Sequence, residues 1–217
     1  GGLRHLTWEL ARHVDFDAVV VVDLGDGGRG PLFLDRYDDD RYDVHVSPFP
    51  LSDEAISFLV DRCDLVYTAE IGYRPDLFAR LRDADVRSVL HLMPELYATD
   101  DESGDVDPDL LVTPTTWSLD RLPSRTHVLP VPVALDRFEH RSVEKVETLL
   151  HVTAPAMLDR NGTLAVLSAL SRVESDCRLI VAGNGSTANL PSRVGHVTVE
   201  IRDPVDEYWR LYDDVDA

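Results

Sequence analysis

The chain has 217 residues, with 40 Asp and Glu against 21 Lys and Arg, a formal net charge of −19. At 44% hydrophobic and 28% charged residues the composition is globular, which excludes wholesale disorder and fibrous architectures, and the length allows one large domain or two small ones. A field of this sign repels nucleic-acid phosphates and anionic membranes, no apolar run is long enough for a transmembrane helix, and Cys63 and Cys177 lack Cys-x-x-Cys spacing, so a reducing cytoplasm fits better than a disulfide scaffold or a cysteine zinc site.

The first half alternates β-branched apolar runs with stretches of helical spacing. In chain order, 3–13 predicts a helix through Leu3, Leu6 and Leu10, and 19–23 (VVVVD) and 42–47 (YDVHVS) predict strands. A helix over 53–62, a strand at 65–69 (LVYTA), a helix over 75–84 opened by Pro75, and strands at 89–93 (VLHLM), 110–113 (LLVT) and 128–133 (VLPVPV) follow. Most of these runs are apolar throughout rather than alternating, as expected of strands covered on both faces, and such βα alternation implies a parallel sheet. The acidic stretch 99–109 reads as a solvated loop.

A second series predicts strands at 148–153 (TLLHVT), 177–182 (CRLIVA) and 196–201 (HVTVEI), a helix over 161–173, and a further helix opened by Asp203-Pro204 that carries Tyr208, Trp209, Leu211 and Tyr212. The polar connection 136–147 marks a domain boundary. Both ends read as cut: Gly1-Gly2 runs straight into a helix with no strand before it, and Asp216-Ala217 stops where a strand is due.

Taken in order, these segments resemble the GT-B glycosyltransferases of the retaining family-4 type. The resemblance is carried by Gly1-Gly2 ahead of His5-Leu6-x-x-Glu9-Leu10-Ala11, by Pro130-Val131-Pro132-Val133-Ala134-Leu135-Asp136-Arg137-Phe138, and by Leu149-Leu150-His151-Val152 with Arg160-Asn161-Gly162. Leu179-Ile180-Val181-Ala182-Gly183-Asn184-Gly185 and Tyr208-x-x-Leu211-Tyr212-x-x-Val215-Asp216-Ala217 complete the set. It implies an α/β fold of two Rossmann-like parallel-sheet domains, an acceptor-side domain over residues 1–136, a linker over 137–147 and a partial donor-binding domain over 148–217. The implied reaction moves a sugar from a UDP- or GDP-sugar to a hydroxyl acceptor, with retention, without a metal or other cofactor. Neither nucleic acid nor a transmembrane segment is expected.

On that resemblance the site residues are His91 and Arg160 as catalytic groups, with Gly1, Gly2, Arg160, Asn161, Gly183 and Gly185 binding the donor. The chemistry agrees: a diphosphate is held by guanidinium groups and bare backbone N–H groups at helix starts and glycine turns. A cation at Arg160 would stabilise charge on the departing phosphate, and His91 would contact the donor sugar, Met93 being the other residue the alignment allows there; Glu95 is a weaker acceptor-side candidate. Two departures stand out. Thr153-Ala154-Pro155 replaces the family's Gly-Arg, and its Glu-x7-Glu motif would lie beyond Ala217.

Other chemistries find little footing. Six Asp-x-Asp pairs, among them Asp83/Asp85 and Asp214/Asp216, are what so much aspartate gives by chance, and no serine sits in a Gly-x-Ser-x-Gly elbow. Gly25-Asp26-Gly27-Gly28-Arg29-Gly30 reads as a loop rather than a phosphate site. The rival functions are a catalytically inactive sugar- or nucleotide-binding relative, a periplasmic-type binding protein, or a nucleotide-sugar epimerase. The epimerase is disfavoured because the sole lysine, Lys145, has Arg141 four residues before it instead of the required tyrosine.

Overall fold

The computed structural model describes residues 2–23, 41–69, 74, 76–92, 106–117, 119–133, 135–138, 141–153, 162–183, 190–202 and 208–216, with side chains from residue 7 onward and excepting that of Tyr208. The chain divides into two compact units, Gly1–Val133 and Ala134–Ala217. Each is α/β, built on parallel strands.

In the first unit, α1 (Gly2–His13) leads into β1 (Ala18–Asp23), which pairs in parallel with β2 (Asp43–Pro48), Ala18 opposite Asp43. After α2 (Asp53–Arg62) come β3 (Leu65–Ala69), α3 (Asp76–Asp83), β4 (Arg87–His91), β5 (Leu110–Thr113) and the two-residue β6 (His127–Val128). These four strands form a parallel sheet in the order β3-β4-β5-β6. Because strand residues alternate faces, Val66, Leu90 and Leu111 point one way while Tyr67, Val89 and His91 point the other. The first face meets α2 and α3: Ile56, Leu59, Val66, Leu77 and Leu81 form one buried cluster, and Phe78, Leu90, Leu92 and Leu111 a second. Val20 and Val22 of β1 pack on the first cluster.

Several local features fix these elements. Ser52 caps α2, its hydroxyl accepting from the N–H of Ala55 at 3.1 Å, while Ser52 N–H donates to the buried Ser47 Oγ at 2.9 Å. Asp107 and Asp109, read as part of a solvated loop, are in fact tied down. Asp109 accepts from Ser88 N–H at 2.8 Å and Ser88 Oγ at 3.0 Å, and Asp107 pairs with Arg82 and Arg125. The predicted strand 128–133 shrinks to His127–Val128, since Pro130 and Pro132 offer no N–H to a ladder.

In the second unit, β7 (Thr148–Thr153), α4 (Thr163–Leu170), β8 (Cys177–Gly183), β9 (Arg193–Val194) and β10 (Val197–Arg202) give a sheet ordered β7-β8-β10-β9. β7, β8 and β10 are mutually parallel; β9 adds an antiparallel edge, unseen in the sequence because it is only two residues long. β8 is central and buried on both faces, with Leu179 and Val181 against Leu167 and Leu170 of α4. The predicted helix with Tyr208, Trp209, Leu211 and Tyr212 is 3-10 over Tyr208–Asp214, and its Asp203-Pro204 start lies outside the described residues. This segment binds the connection before β7. Phe138 meets Tyr212 edge-on at 5.3 Å, Arg137 lies 4.4 Å over the Trp209 ring, and Asp216 Oδ2 accepts from the N–H groups of Glu147 and Thr148 at 2.9 and 2.8 Å.

Candidate functional site

Open parallel sheets bind ligands beyond the carboxyl ends of their strands. In the first unit, His91 is the last residue of β4 and therefore stands at that edge. It is 3% exposed, and burial holds its imidazole below the ordinary histidine range, so the ring is neutral near pH 7. Its Nδ1 is hydrogen-bonded to the Tyr67 hydroxyl, the rings meeting edge to face at 6.0 Å and 87°. Its Nε2 is buried without a hydrogen-bond partner among the described residues. Tyr67 in turn contacts Phe16 at 6.3 Å between ring centres, and burial raises its phenol pKa. A buried polar atom without a partner is uncommon and costly in a folded chain. A ligand oxygen at Nε2 would relieve it.

Thr113, last in β5, also carries a buried hydroxyl that is unpartnered among the described residues. The register places it on the face of Leu90 and Leu111, opposite His91, so the two do not share an environment.

The carboxyl edge of the second unit has a different character. Gly183 ends β8 at φ +140°, and a Cβ there would stand 2.1 Å from the carbonyl oxygen of Thr153, its partner in β7. Glycine is thus required by the sheet itself, whatever else it does. Gly162 caps α4 at φ +67° with no side-chain cap bond. Beside it, Thr163 Oγ1 is bonded to Nε2 of His151 at 2.9 Å, linking the start of α4 to β7.

Of the sequence-derived site residues, Gly2 is the first residue of α1 and His91 closes β4, both in the first unit; Gly183 closes β8 in the second. Gly1, Arg160, Asn161 and Gly185 lie outside the described residues, as do Met93, Glu95, the glycine run 25–30, and Ala154 and Pro155. The sequence reading missed Tyr67, His151 and Thr163. Tyr67 had a usable signal, since parallel strands ending together bring a tyrosine two residues before one terminus near the terminal residue of its neighbour. The pair Asp214/Asp216 has structural duties: Asp214 pairs with Arg202 at 2.9 Å and Asp216 caps the entry to β7. Both cysteines are free. Among the described residues, no helix is long and apolar enough to cross a membrane, and no three His, Cys, Asp or Glu gather as a metal site.

No family model matches the chain, and no curated protein matches it. Among solved structures it is similar to the crystal structure of UGT89C1 of Arabidopsis thaliana complexed with UDP-L-rhamnose, at 14% sequence identity and a TM-score of 0.48. The match covers 93% of this chain and 65% of that one, so the chain spans less than two thirds of that protein's length. A likeness of this size decides neither the activity nor the ligand; those rest on the residues.

Proposed function

We propose that this chain is part of a retaining, metal-independent glycosyltransferase of the GT-B type, acting in the cytoplasm, that moves a sugar from a UDP- or GDP-sugar to a hydroxyl acceptor. The observation that carries this reading is His91: a neutral, buried imidazole at the carboxyl end of a parallel strand, with Nε2 unpartnered among the described residues. On this reading it is the residue, near the family's usual first-domain histidine, that contacts the donor sugar. In this reading Arg160 and Asn161 hold the diphosphate, Gly1 and Gly2 approach the phosphates, and Gly183 and Gly185 admit the base or ribose. The domains are 1–136 and 148–217, joined by the linker 137–147. Arg160 would act mainly by electrostatics, matching charge that builds on the leaving phosphate oxygen.

Calorimetry tests this. In the full-length protein, Arg160→Ala is expected to weaken UDP or GDP binding by about 1–3 kcal/mol, the scale of a lost charge-assisted hydrogen bond. Unchanged affinity removes Arg160 from the site, and no binding of either nucleotide by the full-length protein removes the reading. Thr153-Ala154-Pro155, in place of Gly-Arg, supports a second reading as an inactive binding relative. Binding without turnover of any donor would select it.

A further inference from the structure

The Tyr67–His91 pair settles more than the position of a ring. A neutral imidazole carries one proton, on either nitrogen, and its neighbour decides which. Here the neighbour at Nδ1 is a phenol. A phenol is a stronger acid than the N–H of a neutral imidazole, so the phenol is the natural donor of the two. The count of satisfied groups points the same way. With Tyr67 donating, its O–H is used and the single orphan is Nε2–H. With His91 donating from Nδ1, the phenol proton has no acceptor among the described residues and Nε2 is left as an orphan lone pair.

We infer that Tyr67 is a positioning residue: its hydroxyl donates to Nδ1 of His91, fixes the Nε2–H tautomer, and makes His91 a hydrogen-bond donor to an oxygen of the bound sugar rather than a base. The register makes this possible, because Tyr67 pairs with Val89 and Ala69 with His91, so both rings project from one face two residues apart. An imidazole so protonated cannot take a proton at Nε2. It therefore does not activate the acceptor hydroxyl, and its contribution is to hold and polarise a ligand oxygen. The sugar as ligand rests on the function proposed above; the tautomer rests on the Tyr67–His91 geometry alone.

The test is the tautomer itself, read from long-range 1H–15N correlation spectra of the 15N-histidine-labelled chain at pH 7.5. The His91 signals are assigned by their absence from His91→Gln. The expected spectrum has the proton on Nε2 and a bare Nδ1. Tyr67→Phe, which keeps the ring and its packing, is expected to raise the Nδ1–H population by about fivefold, as loss of one net hydrogen bond allows. A proton on Nδ1 in the parent chain overturns the inference, as does a tautomer ratio unmoved in a folded Tyr67→Phe chain; should that variant not fold, the parent spectrum decides. In the second arm, UDP-glucose and GDP-mannose are added as probes to the full-length protein. A shift of the Nε2–H signal on binding supports a sugar oxygen as its acceptor. Binding that leaves this signal unmoved overturns that role, and failure of both probes to bind strikes the proposed function while the tautomer result stands.

Discussion

Gly183 and His91 are neighbours in the logic of the fold, since each ends a strand at a sheet's carboxyl edge, yet they are held by opposite constraints. Gly183 is fixed by backbone: φ +140° and a would-be Cβ 2.1 Å from Thr153 O leave no room for a side chain. Gly183→Ala is therefore expected to destabilise the chain by roughly 2–4 kcal/mol, backbone strain and overpacking together, measured by urea unfolding. A loss well under 1 kcal/mol would mean that β7 and β8 can part at little cost. His91 is fixed by burial, which depresses its folded-state pKa below that of the unfolded chain. Between those two values the unfolded state binds more protons, so stability rises with pH; it is lost as pH falls from the unfolded value near 6.5 through the folded one. His91→Gln is expected to flatten the urea-midpoint profile over pH 5–7 relative to the parent chain. An equally steep profile in the variant would assign the titration to another group.

At the scale of elements, the sequence was read best where hydrophobic pattern and chain direction agree. The bounds 53–62, 65–69, 110–113 and 148–153 coincide with α2, β3, β5 and β7. They drifted where polar backbone pairing carries the strand: β4 starts at Arg87, two residues before its apolar run, because Arg87 N–H donates to Asp64 O at 3.0 Å. Ser52 shows how a cap anchors an element, as its hydroxyl accepts from the N–H of Ala55 in the first turn of α2. Ser52→Ala should cost about 1 kcal/mol in thermal or urea unfolding, with Ser52→Asp retaining most of the stability. Equal stability of all three chains would show that Ser47 and the backbone hold the helix start without it.

For the whole molecule, charge is the dominant global property. A formal net charge of −19 over 217 residues sets acidic groups repelling one another across the surface. Guanidinium pairs relieve part of this, as where Arg74 reaches Asp53 at 2.9 Å and Asp76 at 2.6 Å, but exposed pairs contribute little each. Added salt screens the repulsion over about 10 Å at 0.1 M, so the melting temperature is expected to rise as NaCl goes from about 10 mM to 0.5 M. A falling melting temperature would show that the ion pairs outweigh the self-repulsion.

The sequence by itself determined the α/β class, the parallel strands and most element positions, because hydrophobic periodicity and cap residues act locally and leave their mark on consecutive residues. It also put His91 within a strand, at the middle of 89–93, while the structure ends that strand at His91. Only the tertiary structure decided that Tyr67 holds that imidazole, that Asp109 and Asp216 serve the backbone of distant strands, and that Gly183 is demanded by Thr153. Each of these depends on residues far apart in the chain being brought within hydrogen-bond or van der Waals reach, and strand register, which sets those meetings, is written in no single segment.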